Sequence, residues 1–205
     1  MSSEPRQIFP LFLFPPLSYI KALCTADNPL IDTGEYFVKQ SFRNRYEICG
    51  PNGREVLIVP LSKGKNEKMP VRQVQVSYAE KWVQQHTGAL KTAYANTPFY
   101  AYYGPEINAM LQAEPASLCD LSREALAWCL EELGFSDKCT RFSDVYVEAA
   151  PADTDHRRAF STKAERMPGT GPYPQLFGTR HGFAADLSVL DLLFHEGRAA
   201  RLRFL

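Results

Sequence analysis

Residues 42–61 read FRNRYEICGPNGREVLIVPL, two strand-like arms around a single turn. In the first arm Phe42, Asn44, Tyr46 and Ile48 alternate with Arg43, Arg45 and Glu47, and a period of two sends the two sets to opposite faces of a strand. Asn44 is the polar member of an otherwise apolar face. Residues 55–61 form the second arm, and Asn52-Gly53 supplies the positive φ angles that a tight hairpin demands.

Upstream, residues 11–14 are a short apolar run closed by Pro15-Pro16, the pattern of a strand covered on both faces, and residues 17–23 begin a helix. Residues 29–32 read as a second strand, so the chain opens β-α-β. The apolar stretch 8–14 is too short for an export signal, is broken by Pro10 and ends in prolines rather than a small-residue cleavage site. Downstream, a lysine-rich loop over residues 62–68 leads to an alternating, strand-like segment at 71–76. Trp82, His86, Leu90 and Tyr94 then recur every fourth residue and share one helix face. Two more helices are expected at 99–112 and 122–133, the latter with Leu126, Cys129, Leu130 and Leu133 as its buried stripe and Gly134 as its stop. A strand is expected at 144–149. Residues 151–174 are polar and rich in Gly and Pro, with no period, and a loop of that length is usually functional. Ser188 and Asp191 have cap spacing ahead of Leu192, Leu193 and Phe194, with Gly197 at the stop, and residues 201–205 look strand-like. The order predicts a single α/β (α+β) domain over residues 1–205, with a mixed sheet, a central hairpin and packed helices.

Composition bounds the function. A chain of 205 residues, 45% hydrophobic, holds a sizeable core without disulfide or metal staples. Lys+Arg and Asp+Glu balance at 23 each, which argues against DNA or an anionic membrane as a partner, because both select for a basic excess. The five cysteines contain no C-x-x-C pair and fit reduced thiols in a cytoplasm. Neither a metal nor a cofactor is expected: the histidines lack ligand spacing, and Gly169-Thr170-Gly171 is too small a fragment for a phosphate-binding fingerprint.

Several residues carry two readings. His86 offers an imidazole able to exchange a proton near neutrality, with Tyr94 two turns along, or it is a hydrogen-bonded core histidine. Trp82 and Tyr94 are packing residues or pocket-rim donors. Arg43, Asn44 and Arg45 form a donor set suited to carboxylate or phosphate, or a solvated strand face. Asp153, Asp155, His156, Arg157 and Arg158 either close over a ligand or keep a loop soluble. Asp191 is explained as a helix cap. A balanced total still leaves room for a local anion site where Arg43, Arg45, Arg157 and Arg158 gather.

Several segments together resemble the WbqC-like protein family of bacteria. They are Phe14-Pro15-Pro16-Leu17-Ser18-Tyr19-Ile20, the run from Glu35-Tyr36-Phe37 through Phe42-Arg43-Asn44-Arg45, Leu57-Ile58-Val59-Pro60, Trp82 with His86, Ala93-Tyr94-Ala95-Asn96-Thr97-Pro98-Phe99-Tyr100, Tyr173-Pro174-Gln175, and the run from Leu187-Ser188 to Glu196-Gly197. The opening departs from the Gln-Pro-x-Tyr of many members. The resemblance implies surface-polysaccharide (O-antigen-type) biosynthesis and a suggested glycine, aminoacyl or acyl transfer to an amino sugar. The small-molecule partners would be a nucleotide sugar and an activated amino acid. On that basis His86 is assigned as base with Tyr94 beside it as catalytic residues, and Asn44, Arg45, Trp82, Tyr173 and Gln175 as substrate-binding residues. The rival is a non-catalytic sugar-binding or scaffold protein presenting Tyr100, Tyr102 and Tyr103.

Overall fold

The computed structural model describes residues 4–62, 69–138, 141–162 and 169–205. Strand β1 (Gln7–Pro10) leads through α1 (Leu17–Thr25) to β2 (Pro29–Asp32), and the two strands pair in parallel with Gln7 opposite Pro29 and Pro10 opposite Asp32. Helix α1 begins after Pro16 with no side-chain cap of its own. Asp186 supplies one from the far end of the chain, accepting from the Ser18 amide at 2.8 Å and the Ser18 hydroxyl at 3.0 Å, a carboxylate where the helix dipole favours one.

Two short strands complete this sheet: β5 (Phe142–Ser143) joins β2 and β6 (Thr154–Asp155) joins β1, both in parallel. The order is β5-β2-β1-β6. The chain steps from β1 to β2 in one direction, whereas β6 arrives on the opposite side of β1. The carboxyl ends of β1 and β6 thus flank a switch in strand order, the place where open parallel sheets present a crevice to ligands.

The hairpin β3 (Arg45–Gly50) and β4 (Gly53–Ile58) forms a separate antiparallel pair closed by Gly50 opposite Gly53. Its turn differs from the expected one. Pro51 and Asn52 occupy the centre, and Gly53 alone takes positive φ, at 97°. Proline at the first central position favours this arrangement because its ring presets φ near −65°. Strand β3 is covered on both faces by α2 (Trp82–Tyr94), by α6 (Val189–Glu196) and by the β1–α1 connection, while β4 leaves Val56 and Ile58 exposed at the edge. Helices α3 (Tyr100–Gln112) and α4 (Leu118–Glu132) pack beside α2, the short α5 (Gly178–His181) precedes α6, and one apolar cluster runs from Phe9 to Phe204.

Four expected strands differ. The first strand lies at Gln7–Pro10, and residues 11–14 instead form a buried, non-strand connection in which Phe14 has a φ of 43°. At 71–76 the chain makes a 3-10 turn, Val71–Gln73, followed by single bridges from Gln75 to Ser117 and from Val76 to Leu61. The strand expected at 144–149 is displaced to Phe142–Ser143, and residues 201–205 lie in and after a 3-10 turn, Gly197–Arg203. In each case apolar content marked burial and not backbone shape, since a buried connection is as apolar as a buried strand. Most of the lysine-rich loop lies outside the described residues.

Candidate functional site

The residues assigned from sequence fall into three places. Around α6, Asp191 is fully buried and accepts from the Tyr94 hydroxyl at 2.8 Å, the Tyr173 hydroxyl at 2.5 Å and the Gln175 amide at 2.9 Å. Burial and the adjacent carboxylate drive both phenols well above their usual range, so they remain donors. The cap is made by Ser188 alone, whose hydroxyl accepts from the Leu190 amide. Asp191 is instead the hub that ties the 173–184 segment to α2 and α6. His195 adds to it, receiving the Leu176 amide on Nε2 at 2.9 Å and placing Nδ1 2.6 Å from the Asp191 carbonyl.

His86 and Trp82 sit in the core. His86 Nε2 lies 3.2 Å from the Ile58 carbonyl, which can only accept, so that nitrogen carries the proton and Nδ1 receives the Tyr46 hydroxyl at 3.1 Å. The ring is packed edge-on against Tyr46 and Trp82, and burial lowers its pKa to about 4. Both nitrogens are occupied and the neutral form is favoured, which suits packing and leaves no lone pair for a substrate proton. Trp82 donates its indole N–H to the Ser77 carbonyl at 3.0 Å.

Asn44 and Arg45 form the third place. They border an open cavity of about 300 Å³ with Phe37, Lys39 and the apolar run Ile58 to Leu61. The Asn44 amide donates to the Val59 carbonyl at 2.9 Å, and Arg45 is half-buried with its Nε lacking a hydrogen-bond partner among the described residues. None of His86, Tyr94, Trp82, Tyr173 or Gln175 is among the described residues that line this cavity.

A neighbouring cavity of about 330 Å³ shares Lys39 and Gln40 with it. Its lining brings Arg43, Arg157 and Arg158 together with Ser41, Phe160, Ser161 and Thr162, without a carboxylate among the described residues. It lies where residues leave β6, at the switch in strand order. Behind it is a buried ionic cluster. Arg43 holds Glu35 through two hydrogen bonds of 3.0 and 2.6 Å, and Arg157 binds Asp32 at 2.7 Å and Asp155 at 2.6 Å. Asp32, fully buried at the end of β2, also accepts the amides of Gly34 at 2.9 Å and Val147 at 3.2 Å. Burial pushes the Glu35 carboxyl up to about 7 against the pull of Arg43. These carboxylates offset the charges of Arg43 and Arg157, whereas Arg158 lines the cavity outside the cluster. Gln40, between the cavities, has a φ of 56°, a conformation costly for a side-chain-bearing residue and one that collects at functional sites.

Two expectations change with this geometry. Arg43 is not on a solvated face but buried against Glu35, and Arg157 is an internal anchor bonded to Asp32 rather than part of a solubilising loop. Asp153 pairs with Arg6, and His156 stacks on Phe9 at 4.5 Å.

Residues 12–167, more than half of the chain, match the WbqC-like protein family. The chain belongs to that family. The matched span contains every described lining residue of both cavities and ends before Tyr173, Gln175 and Asp191. No curated protein and no solved structure is significantly similar to this WbqC-like chain. Among its described residues, no helix is long and apolar enough to cross a membrane, and no group of three or more His, Cys, Asp or Glu is placed to hold a metal ion. Cys24, Cys49, Cys119 and Cys129 are buried, and burial pushes the Cys24 thiol up to about 12.

Proposed function

We propose that this WbqC-like protein transfers an acyl or aminoacyl group to the amine of a phosphorylated amino-sugar precursor of surface polysaccharide. The observation that carries the reading is the pair of adjoining cavities divided by Lys39 and Gln40, one basic and one partly apolar. In it, Lys39, Arg157 and Arg158 take the phosphate of the sugar, and the wall of Ile58, Val59 and Pro60 with Arg45 takes the acyl donor. The bond-forming step is attack of the amine nitrogen on the acyl carbon. The C–N bond forms, the bond to the donor's oxygen or sulfur breaks with its electrons, and the amine proton leaves to that group or to water.

Among the described residues no carboxylate or histidine lines either cavity, and the proton-accepting role assigned to His86 is not carried forward. A cationic lining does part of that work by another route. Nearby positive charge disfavours the ammonium form and so raises the share of nucleophilic free amine. Holding the two reactants side by side lowers the barrier further, and the Gln40 amide and Arg45 guanidinium are donors for the developing oxyanion.

The lack of a lining base among the described residues is also the observation that favours the second reading, a non-catalytic sugar-binding protein of the same pathway. A thermal-shift series with nucleotide sugars, free amino acids and ATP separates the two. Stabilisation by both the nucleotide sugars and the amino acids or ATP is expected of the transferase. Response to sugar alone would favour the binder, and no response to any of them would overturn both.

A further inference from the structure

Beside the basic cavity, two large aromatic side chains are held out in solvent. Tyr36 is 58% and Tyr146 48% exposed, and their rings are stacked with centroids 6.4 Å apart and planes 29° from parallel. Exposed tyrosines on loose loops would mean little, but this pair is fixed from several sides. The Tyr146 segment is clamped at Val147, whose amide donates to Asp32 and whose carbonyl accepts from Arg157 at 2.9 Å. On its other side the Ser143 hydroxyl donates to the Val145 carbonyl at 2.6 Å. Gly34 lets the segment lie against the end of β2, because a Cβ there would sit 2.2 Å from the Tyr146 nitrogen. Tyr36 is bridged to Pro70.

Arg157 joins the rings to the cavity. Its guanidinium carbon lies 4.6 Å from the Tyr146 ring centroid, and the same side chain lines the basic cleft. Val38, two residues beyond Tyr36, lines it too. A rigid π-surface adjoining a phosphate-sized basic pocket matches a ligand with a flat ring at one end and phosphates at the other. We infer that Tyr36 and Tyr146 form a stacking subsite for the nucleobase of a nucleoside diphosphate whose phosphates occupy the Arg157–Arg158 cleft. The inference rests on the cleft being an anion site and adds the class of anion. The balanced net charge points to a free nucleotide or nucleotide-linked sugar rather than a polynucleotide, which would need a wider basic footprint.

Isothermal titration of the full chain with inorganic pyrophosphate, uridine diphosphate and adenosine diphosphate tests this. Stacking on an aromatic side chain is a substantial, sequence-tolerant contribution, so at least one nucleotide should bind about tenfold or more tightly than pyrophosphate. Tyr36→Ala and Tyr146→Ala should remove that advantage and leave pyrophosphate affinity unchanged. Tyr36→Ala carries the test if Tyr146→Ala unfolds, since Tyr36 is not against Arg157. Equal affinity of wild-type protein for pyrophosphate and both nucleotides would overturn the stacking subsite while leaving the anion cleft standing, as would a nucleotide advantage that survives in Tyr36→Ala. Failure to bind any of the three would overturn the cleft itself.

Discussion

Asp32→Ala removes the acceptor around which the carboxyl end of the parallel sheet is built. The carboxylate serves the Gly34 amide on one oxygen and the Val147 amide and Arg157 on the other, in a position with no solvent exposure. Breaking a buried ion pair from one side costs about 3–5 kcal/mol because the remaining charge loses its partner. Two amides left unpaired would add about 1–3 kcal/mol each if they stayed dry. These terms are not additive, Arg157 retains Asp155, and the adjoining cavity is open to water. The expected net loss is therefore about 3–5 kcal/mol, which for a chain of this size lowers the melting temperature by roughly 10 °C or more. Urea unfolding followed by fluorescence of the buried Trp82 measures it. Asp32→Asn, which keeps one oxygen and loses the charge, should fall between. Arg157→Met combined with Asp32→Ala should cost less than the sum of the single changes. A loss below about 1 kcal/mol in Asp32→Ala, with strictly additive behaviour in the double variant, would refute the reasoning that this cluster holds the cleft.

Three further outcomes follow from the same structure. His86 is held neutral with a pKa of about 4 against 6.5 in the unfolded chain, so its contribution is complete above pH 6.5 and is lost as the pH falls towards 4, by about 3 kcal/mol in all. Glu35, raised to about 7 from 4.5, acts in the opposite sense, its contribution fading as the pH climbs from 4.5 to 7. Comparison of wild type with His86→Gln in urea at pH 7 and pH 4.5 isolates the histidine: the variant should lose less stability on acidification, and an identical loss would contradict a buried neutral ring. Tyr173→Phe deletes one donor to the Asp191 carboxylate and should cost about 2 kcal/mol in the same unfolding assay without changing pyrophosphate affinity. Gln40→Gly relieves a left-handed side-chain-bearing residue, so stability should hold or rise by up to about 1 kcal/mol, while calorimetry should show weaker binding in the cleft that its side chain lines.

Where a short-range pattern acts alone, sequence revealed the structure. The four-residue recurrence of Trp82, His86, Leu90 and Tyr94 is the buried face of α2, and the Gly50–Gly53 turn joins the hairpin as its flanking alternation demands. Long-range pairing is what sequence concealed. Strands β5 and β6 are two residues each, too short for any period, and form only because β2 and β1 offer edges. The same holds for the site. Arg157 and Asp32 lie 125 positions apart, so nothing local marks them as partners. Asp32 did leave a trace as a charged residue ending an apolar strand, and Asp191 left one inside Leu190-Asp191-Leu192-Leu193. Cap spacing supplied a simpler explanation for Asp191, and only the folded chain places Tyr94 and Tyr173 on it. The gathering of Arg43, Arg45, Arg157 and Arg158 was legible as a local basic excess, but the division into buried anchors, Arg43 and Arg157, and cavity groups, Arg45 and Arg158, depends on which acids fold against them.

The claim that the basic cleft after β6 receives the phosphate of the substrate meets its most direct test in Arg158→Ala. Arg158 is exposed, lines the cavity and lies outside the Asp32 cluster, so the variant should melt with the wild type. Removing one charge-assisted hydrogen-bond donor from an anion site is expected to weaken pyrophosphate binding about tenfold in a low-salt calorimetric titration. Unchanged affinity in Arg158→Ala, or wild-type protein that takes up no pyrophosphate, would contradict the account.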